Sequence, residues 1–366
     1  MHTCPPPIDE FSECFDENAS VNGDFGHTLL VQSEEDDGSL AAALKGYFES
    51  AHLDARNIFH ANIGIDLHPD ANGDDEIVTY PGSLPSRTRR GLFGEVLAGL
   101  LTESYEYVGD HEWCVPVFLF RYHDDAFNYL FSLARDPTRS RQTIGRLGSD
   151  FIGLSLSEDG AVGRIISGEA KWRATLTPAT VDEIMLGEWV DDGDGGRVRS
   201  GKGVWNSVNH EPPTPSGVRQ LQRILQEHDP DGYDATILSL DRALVVKDPE
   251  PIPKTDLIVF AGNGRARRED DECLLPFEEA PEEYNAGNDL QIVEVQSLGR
   301  RRRCLIWTPS ALLSPPSFSG KLALRMSLPL SRHEHSFAGY KQAGASQRSS
   351  GDRKKLTVSM MTQRGS

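Results

Sequence analysis

Apolar positions along this chain switch between two patterns, the helical spacing of about 3.6 residues and the every-second-residue alternation of a strand. At 40–48 they fall at Leu40, Ala43, Leu44, Tyr47 and Phe48, which predicts a short helix. At 92–101 they fall at Leu92, Phe93, Val96, Leu97, Leu100 and Leu101, one face of a longer helix with Glu95 at its edge. A compact run at 115–122 reads as a buried strand, and 125–135 as a helix that Pro137 ends. Further on, Thr177 and Pro178 open a helix whose inner face is Val181, Ile184, Met185 and Trp189, and 218–226 is another. Segments 235–240, 257–260, 290–295 and 304–307 have strand character. Such mixing predicts an α/β or α+β fold.

The stretch that organises the chain is a predicted hairpin. Ile152, Leu154 and Leu156 alternate with Phe151, Gly153 and Ser155, residues 157–160 make a turn, and 162–166 supply the second strand. Pairing Leu156 with Val162 sets Asp150 opposite Gly168, one residue from Glu169. Glu169 and Lys171, two apart, share a face, and a register slip of one decides whether Asp150 joins them. A glycine inside a strand marks close approach by another group, so Gly168 adds to the interest of this corner.

Charge changes the picture. The chain of 366 residues carries a net charge of -19, but from Arg300 onward it has 13 basic and 2 acidic residues, leaving -30 on the remainder. A body that acidic repels a phosphate backbone unless cations or a partner screen it. Residues 1–37 hold ten acids and no Lys or Arg, so 1–39 are expected to form an acidic, poorly ordered arm. Residues 316–366 are expected to form a basic, largely disordered tail, leaving one domain at 40–315. No apolar run approaches the roughly 18 residues of a membrane span, and the start of the chain lacks a signal peptide's pattern, so a cytoplasmic protein is expected.

Several chemistries fit poorly. Five cysteines without C-x-x-C spacing indicate neither a zinc motif nor a disulfide framework. Residues 196–202 approach a P-loop, but Gly203 replaces its Ser or Thr and no strand precedes it. Asp75 stands where a calcium loop at 66–75 would need glycine, and His333 and His335 lack a scaffold. The hairpin fits better. Magnesium prefers carboxylate oxygens and takes one or two from the protein, which Asp150 and Glu169 would supply with the Ala170 carbonyl as a further ligand. Lys171 would then orient water and offset charge at a phosphodiester, with Glu95 reaching in from its helix. The same residues also suit an ordinary hairpin with a cross-strand ion pair.

The order helix Glu95, then Asp150, then Glu169-x-Lys171 resembles the PD-(D/E)xK nuclease superfamily, with Ser149 where its name pattern has proline. Within it, Gly94-Glu95, the run from Gly145 and Arg146 to Asp150, and the run from Gly168 to Lys171 look like the nuclease subunit of the Hachiman antiphage defence system. The resemblance spans about 85–190, with a weaker match in strand pattern to about 310. It implies a restriction-endonuclease-like core, a mixed sheet flanked by helices, with irregular terminal extensions. It also implies Mg2+ (or Mn2+) as cofactor, catalysis by Glu95, Asp150, Glu169 and Lys171, DNA as substrate and a helicase subunit as partner. Arg146, Arg197, Arg199, Lys202, Arg300, Arg301, Arg302 and Arg303 are the basic residues placed to meet DNA. A non-catalytic adapter on the same fold is the alternative.

Overall fold

A computed structural model describes residues 1–33, 38–63, 80–120, 149–173, 175–215, 217–245, 251–263 and 272–297. Its centre is a six-stranded mixed sheet flanked by helices on both faces. The strands are β1 (Phe15–Asn22), β2 (Phe25–Gln32), β3 (Phe151–Leu156), β4 (Val162–Arg173), β7 (Lys254–Asn263) and β8 (Asp289–Ser297). They lie in the order β1-β2-β8-β7-β4-β3. The inner four run parallel, and the outer two are the antiparallel partners of hairpins, β1 with β2 and β3 with β4. Between β4 and β7, β5 (Trp189–Asp191) and β6 (Arg197–Arg199) form a separate two-stranded ribbon.

Alternation along β4 sorts the layers. Ile166, Ala170 and Trp172 belong with Leu257, Val259, Val293 and Val295 on one face, against α2 (Ser39–Ala51) and α4 (Ser86–Ser104). A methyl group added at Gly94 would stand 3.6 Å from Trp172 Cβ and 4.0 Å from Ala170 Cβ, so α4 rests directly on β4. The opposite face carries Ile258, Phe260, Leu290 and Ile292 under α5 (Pro178–Leu186) and α6 (Val204–Asn209). Where β3 and β4 lie, α7 (Val218–His228) and α8 (Asp234–Val245) cover Ile152, Leu154 and Ile165. The remaining helices among the described residues are α1 (Ile8–Cys14) and α3 (Leu53–Ile63). Among the described residues, no helix is long and apolar enough to cross a membrane.

Three expectations are corrected. Residues 1–33 are not a loose acidic arm but α1, β1 and β2, because 25–32 is buried throughout and β2 pairs along β8. The acids that dominate this segment's composition, such as Asp16 and Glu17, sit on the exposed edge strand β1, where charge discourages pairing with another chain. Residues 235–240 belong to helix α8, not a strand. Ile237, Leu240 and Leu244 pack together at helical spacing, which outweighs the β-branched pair Thr236 and Ile237. Residues 115–120 run beside β3 with Val115 and Val117 fully buried, yet the contact is a single bridge from Cys114 to Leu154 and no strand forms. Helix 125–135, strand 304–307 and the tail 316–366 lie outside the described residues.

Candidate active site

The hairpin forms as expected, with a register set by a bulge. Leu156 pairs with Val162, but Ser155 pairs with Arg164, so Gly163 is the extra residue and every later pair moves by one. Phe151, not Asp150, therefore lies opposite Gly168, and Asp150 continues the ladder toward Glu169, its N–H donating to the Gly168 carbonyl at 2.6 Å. Phe151 packs into the α4-side core, so alternation turns Asp150 to the other face, which Glu169 and Lys171 share. The one-residue shift is what lets the three side chains meet.

Their contacts are close. Asp150 Oδ2 accepts the Ala170 N–H at 2.9 Å and lies 3.7 Å from Lys171 Nζ, while Lys171 also pairs with Glu169. All three side chains are mostly buried, with 12%, 16% and 24% exposure for Asp150, Glu169 and Lys171. Burial pulls the Lys171 ammonium down, but Glu169 and Asp150 together outweigh it and hold its pKa above the usual lysine value. Lys171 is thus a firmly charged cation between two carboxylates. The N–H and C=O of one extended residue project to the same side, so the Ala170 carbonyl also faces the Asp150 edge.

Gly168 is explained by packing. A Cβ there would stand 2.0 Å from Cε1 of Phe151, whose ring is fully buried across the strand. The close approach anticipated at this glycine is made by the protein's own ring. Gly168→Ala should lose about 1–3 kcal/mol of stability through overpacking, read as a lower urea midpoint. Phe151→Leu in the same chain should recover part of the loss; an unchanged midpoint in Gly168→Ala would show that the ring yields freely.

Beside the trio opens a cleft of about 250 Å³ lined by Ser149, Ser167, Glu169, His210 and Glu211, among others. Its floor is a polar network that the sequence reading missed. Glu211 accepts hydrogen bonds from Ser149 and from Ser167, the latter at 2.8 Å, and lies 3.3 Å from Lys254 Nζ. Lys254 Nζ is also 2.9 Å from Asp256 Oδ1, and Asp256 Oδ2 accepts from Tyr284 at 2.8 Å and Asn288 at 3.0 Å. Burial, then the Asp256 charge, push the Tyr284 hydroxyl far above its usual pKa, so it remains a donor. Ser149 thus has a place in this network through its bond to Glu211. The polar alternation Lys254, Asp256 ahead of the apolar 257–260 was a readable signal; Glu211 had none.

Glu95 is buried on α4, the layer that rests on Ala170 and Trp172, and its charge is one of the influences that raise the pKa of Tyr80. It thus enters from the side of the sheet opposite Glu169 and Lys171. Arg199 stacks on Trp189 at 4.3 Å and donates to the Gly187 carbonyl at 3.1 Å, so it braces the ribbon. Arg197 and Lys202 are exposed there. Arg146 and Arg300–Arg303 lie outside the described residues. The P-loop-like residues 196–202 contain strand β6, not a phosphate cradle between strand and helix. Compared with models of known protein families and with curated proteins, the chain matches none.

Proposed function

We propose that this protein is a Mg2+-dependent DNA nuclease with a restriction-endonuclease-like core. The observation that carries the reading is the meeting of Asp150, Glu169 and Lys171 on one sheet face at the edge of an open cleft. Two carboxylates already held around a cation are a hard-oxygen donor set suited to Mg2+ or Mn2+, with the Ala170 carbonyl beside them. A divalent ion bound there supplies Lewis-acid charge to a phosphate oxygen. The chain's own part is positional. The Ala170 N–H fixes the Asp150 carboxylate, so its orientation is set before substrate arrives. Lys171 offers ammonium protons to a water or to developing phosphate charge, and its raised pKa keeps it protonated at neutral pH.

The acidic body weighs for an effector subunit of a prokaryotic antiphage complex, in which a helicase partner delivers DNA. Arg146, Arg197, Arg199, Lys202, Arg300, Arg301, Arg302 and Arg303 are the proposed phosphate contacts, Glu95 a supporting acid, and the cytoplasm the proposed location.

Incubation with DNA at low salt should give degradation with Mg2+ and none with EDTA, and Glu169→Gln should abolish it. Mn2+ binding by the chain alone, followed by electron paramagnetic resonance, should be lost in the same variant, independently of any partner. A protein that neither cuts DNA nor binds Mn2+ at this site would be the non-catalytic adapter instead.

A further inference from the structure

A second constellation lies at the other end of the sheet and does not depend on the nuclease reading. His27 on β2 and Glu294 on β8 are both fully buried, and Cys273 reaches them from the segment 272–278. A nitrogen, a sulfur and an oxygen from the three residues lie within 4.8 Å of one another.

The hydrogen bonds state what each group presents. His27 Nδ1 is 2.9 Å from the Pro276 carbonyl oxygen, which can only accept, so Nδ1 carries the proton. Nε2 points at Glu294 Oε1, 3.4 Å away, without a hydrogen-bond partner. The Glu294 carboxylate accepts the N–H of Leu274 at 2.9 and 3.0 Å and that of Leu275 at 3.0 Å, which fixes its orientation beside the ring. An imidazole lone pair, a carboxylate and a half-buried thiol sulfur facing one another are suited to share a positive charge. A proton on Nε2 is one source, but a charge-assisted N–H···O bond closes to about 2.7–2.9 Å, shorter than the spacing here. Two ligands about 2.0–2.2 Å from a tetrahedral zinc stand roughly 3.3 Å apart, which matches it.

We propose that His27, Cys273 and Glu294 bind one zinc ion that clamps residues 272–278 across the sheet. Imidazole and thiolate together select zinc over magnesium or calcium. The Pro276 carbonyl on Nδ1 is the outer contact that orients a metal-binding histidine. On binding, the Cys273 thiol gives up its proton, and thiolate plus carboxylate neutralise the ion. Three protein ligands leave a fourth position for water or a carbonyl. Burial of His27 and Glu294 makes the role structural rather than catalytic. Besides these contacts the segment is tied by hydrogen bonds from Ser20 to the Phe277 carbonyl, Asn22 to that of Glu278 at 3.1 Å and Gln296 to that of Glu272 at 3.0 Å, and by Leu274 and Leu275 packed on the core.

The test is metal analysis of the full chain purified with zinc supplied and without chelator. About one zinc per chain should be present, falling to near none in Cys273→Ser and His27→Gln. Titration of the metal-free chain with Co2+ should give a sulfur-to-cobalt charge-transfer band, and chelator should lower the Tm of the unmutated protein. If the variants fail to fold, the Co2+ spectrum of the unmutated chain decides by itself. Zinc-free protein with no such band, or zinc content unchanged in Cys273→Ser, would overturn the proposal and leave a His27–Glu294 ion pair.

Discussion

Lys171→Ala is expected to cut Mg2+-dependent DNA degradation by about a hundredfold or more, the scale seen when one preorganised donor to a developing charge is removed. The fold should survive, because the side chain is 24% exposed and lies beside two carboxylates rather than in a hydrophobic layer. A second readout separates catalysis from mere ion pairing. Lys171 places its ammonium between Asp150 and Glu169, where it repels an incoming divalent cation. Its removal should therefore tighten Mn2+ or Mg2+ binding while turnover falls, and the Tm gain from added Mg2+ should be larger than in the unmutated chain. If Lys171 only neutralised the two acids, bound metal would replace it and turnover would return at high Mg2+. Unchanged cleavage by the variant would remove the nuclease reading.

The largest stability effect should come from Lys254→Met. Lys254 is 3% exposed and is held between Glu211 and Asp256, which are themselves 9% and 1% exposed. Taking away the cation leaves two neighbouring buried carboxylates, and breaking a buried pair in this way costs about 3–5 kcal/mol. Guanidinium denaturation should show the loss as a lower midpoint with an unchanged slope. Adding Asp256→Asn should cost less in the Lys254→Met background than in the original, a coupling of about 1 kcal/mol or more. Strict additivity would mean that the pair does not hold the cleft floor together.

Much of the candidate site was legible. Glu169 and Lys171 share a face by alternation alone, and the hairpin announced itself through 151–156, the turn and 162–166. The extra residue Gly163 was not legible, yet it moved Asp150 from opposite Gly168 to the level of Glu169. A bulge depends on which ladder the flanking sheet accepts, and β4 is also paired to β7 along most of its length. The helices at 40–48, 92–101 and 218–226 were read from their stripes and are longer in the fold. Residues 235–240 misled because β-branched residues and leucines fit both periods over so short a window. The N-terminal segment misled because acid content was weighed over the whole segment, whereas burial is decided strand by strand. Asp16 and Glu17 face outward while Leu29 and Leu30 are fully buried.

The sequence by itself determined what backbone geometry makes local: helical stripes, the hairpin, and the common face of Glu169 and Lys171. It also determined the charge imbalance between the acidic body and the basic residues from Arg300 onward. Only the tertiary structure decided which distant groups meet. Asp150 joined Lys171 through a bulge, Lys254 and Asp256 met Glu211 across two segments, and His27 met Cys273 and Glu294 from nearly opposite ends of the described chain. Such meetings depend on sheet order and on which surfaces are buried together, and both are set by packing summed over the whole domain rather than by any window of residues.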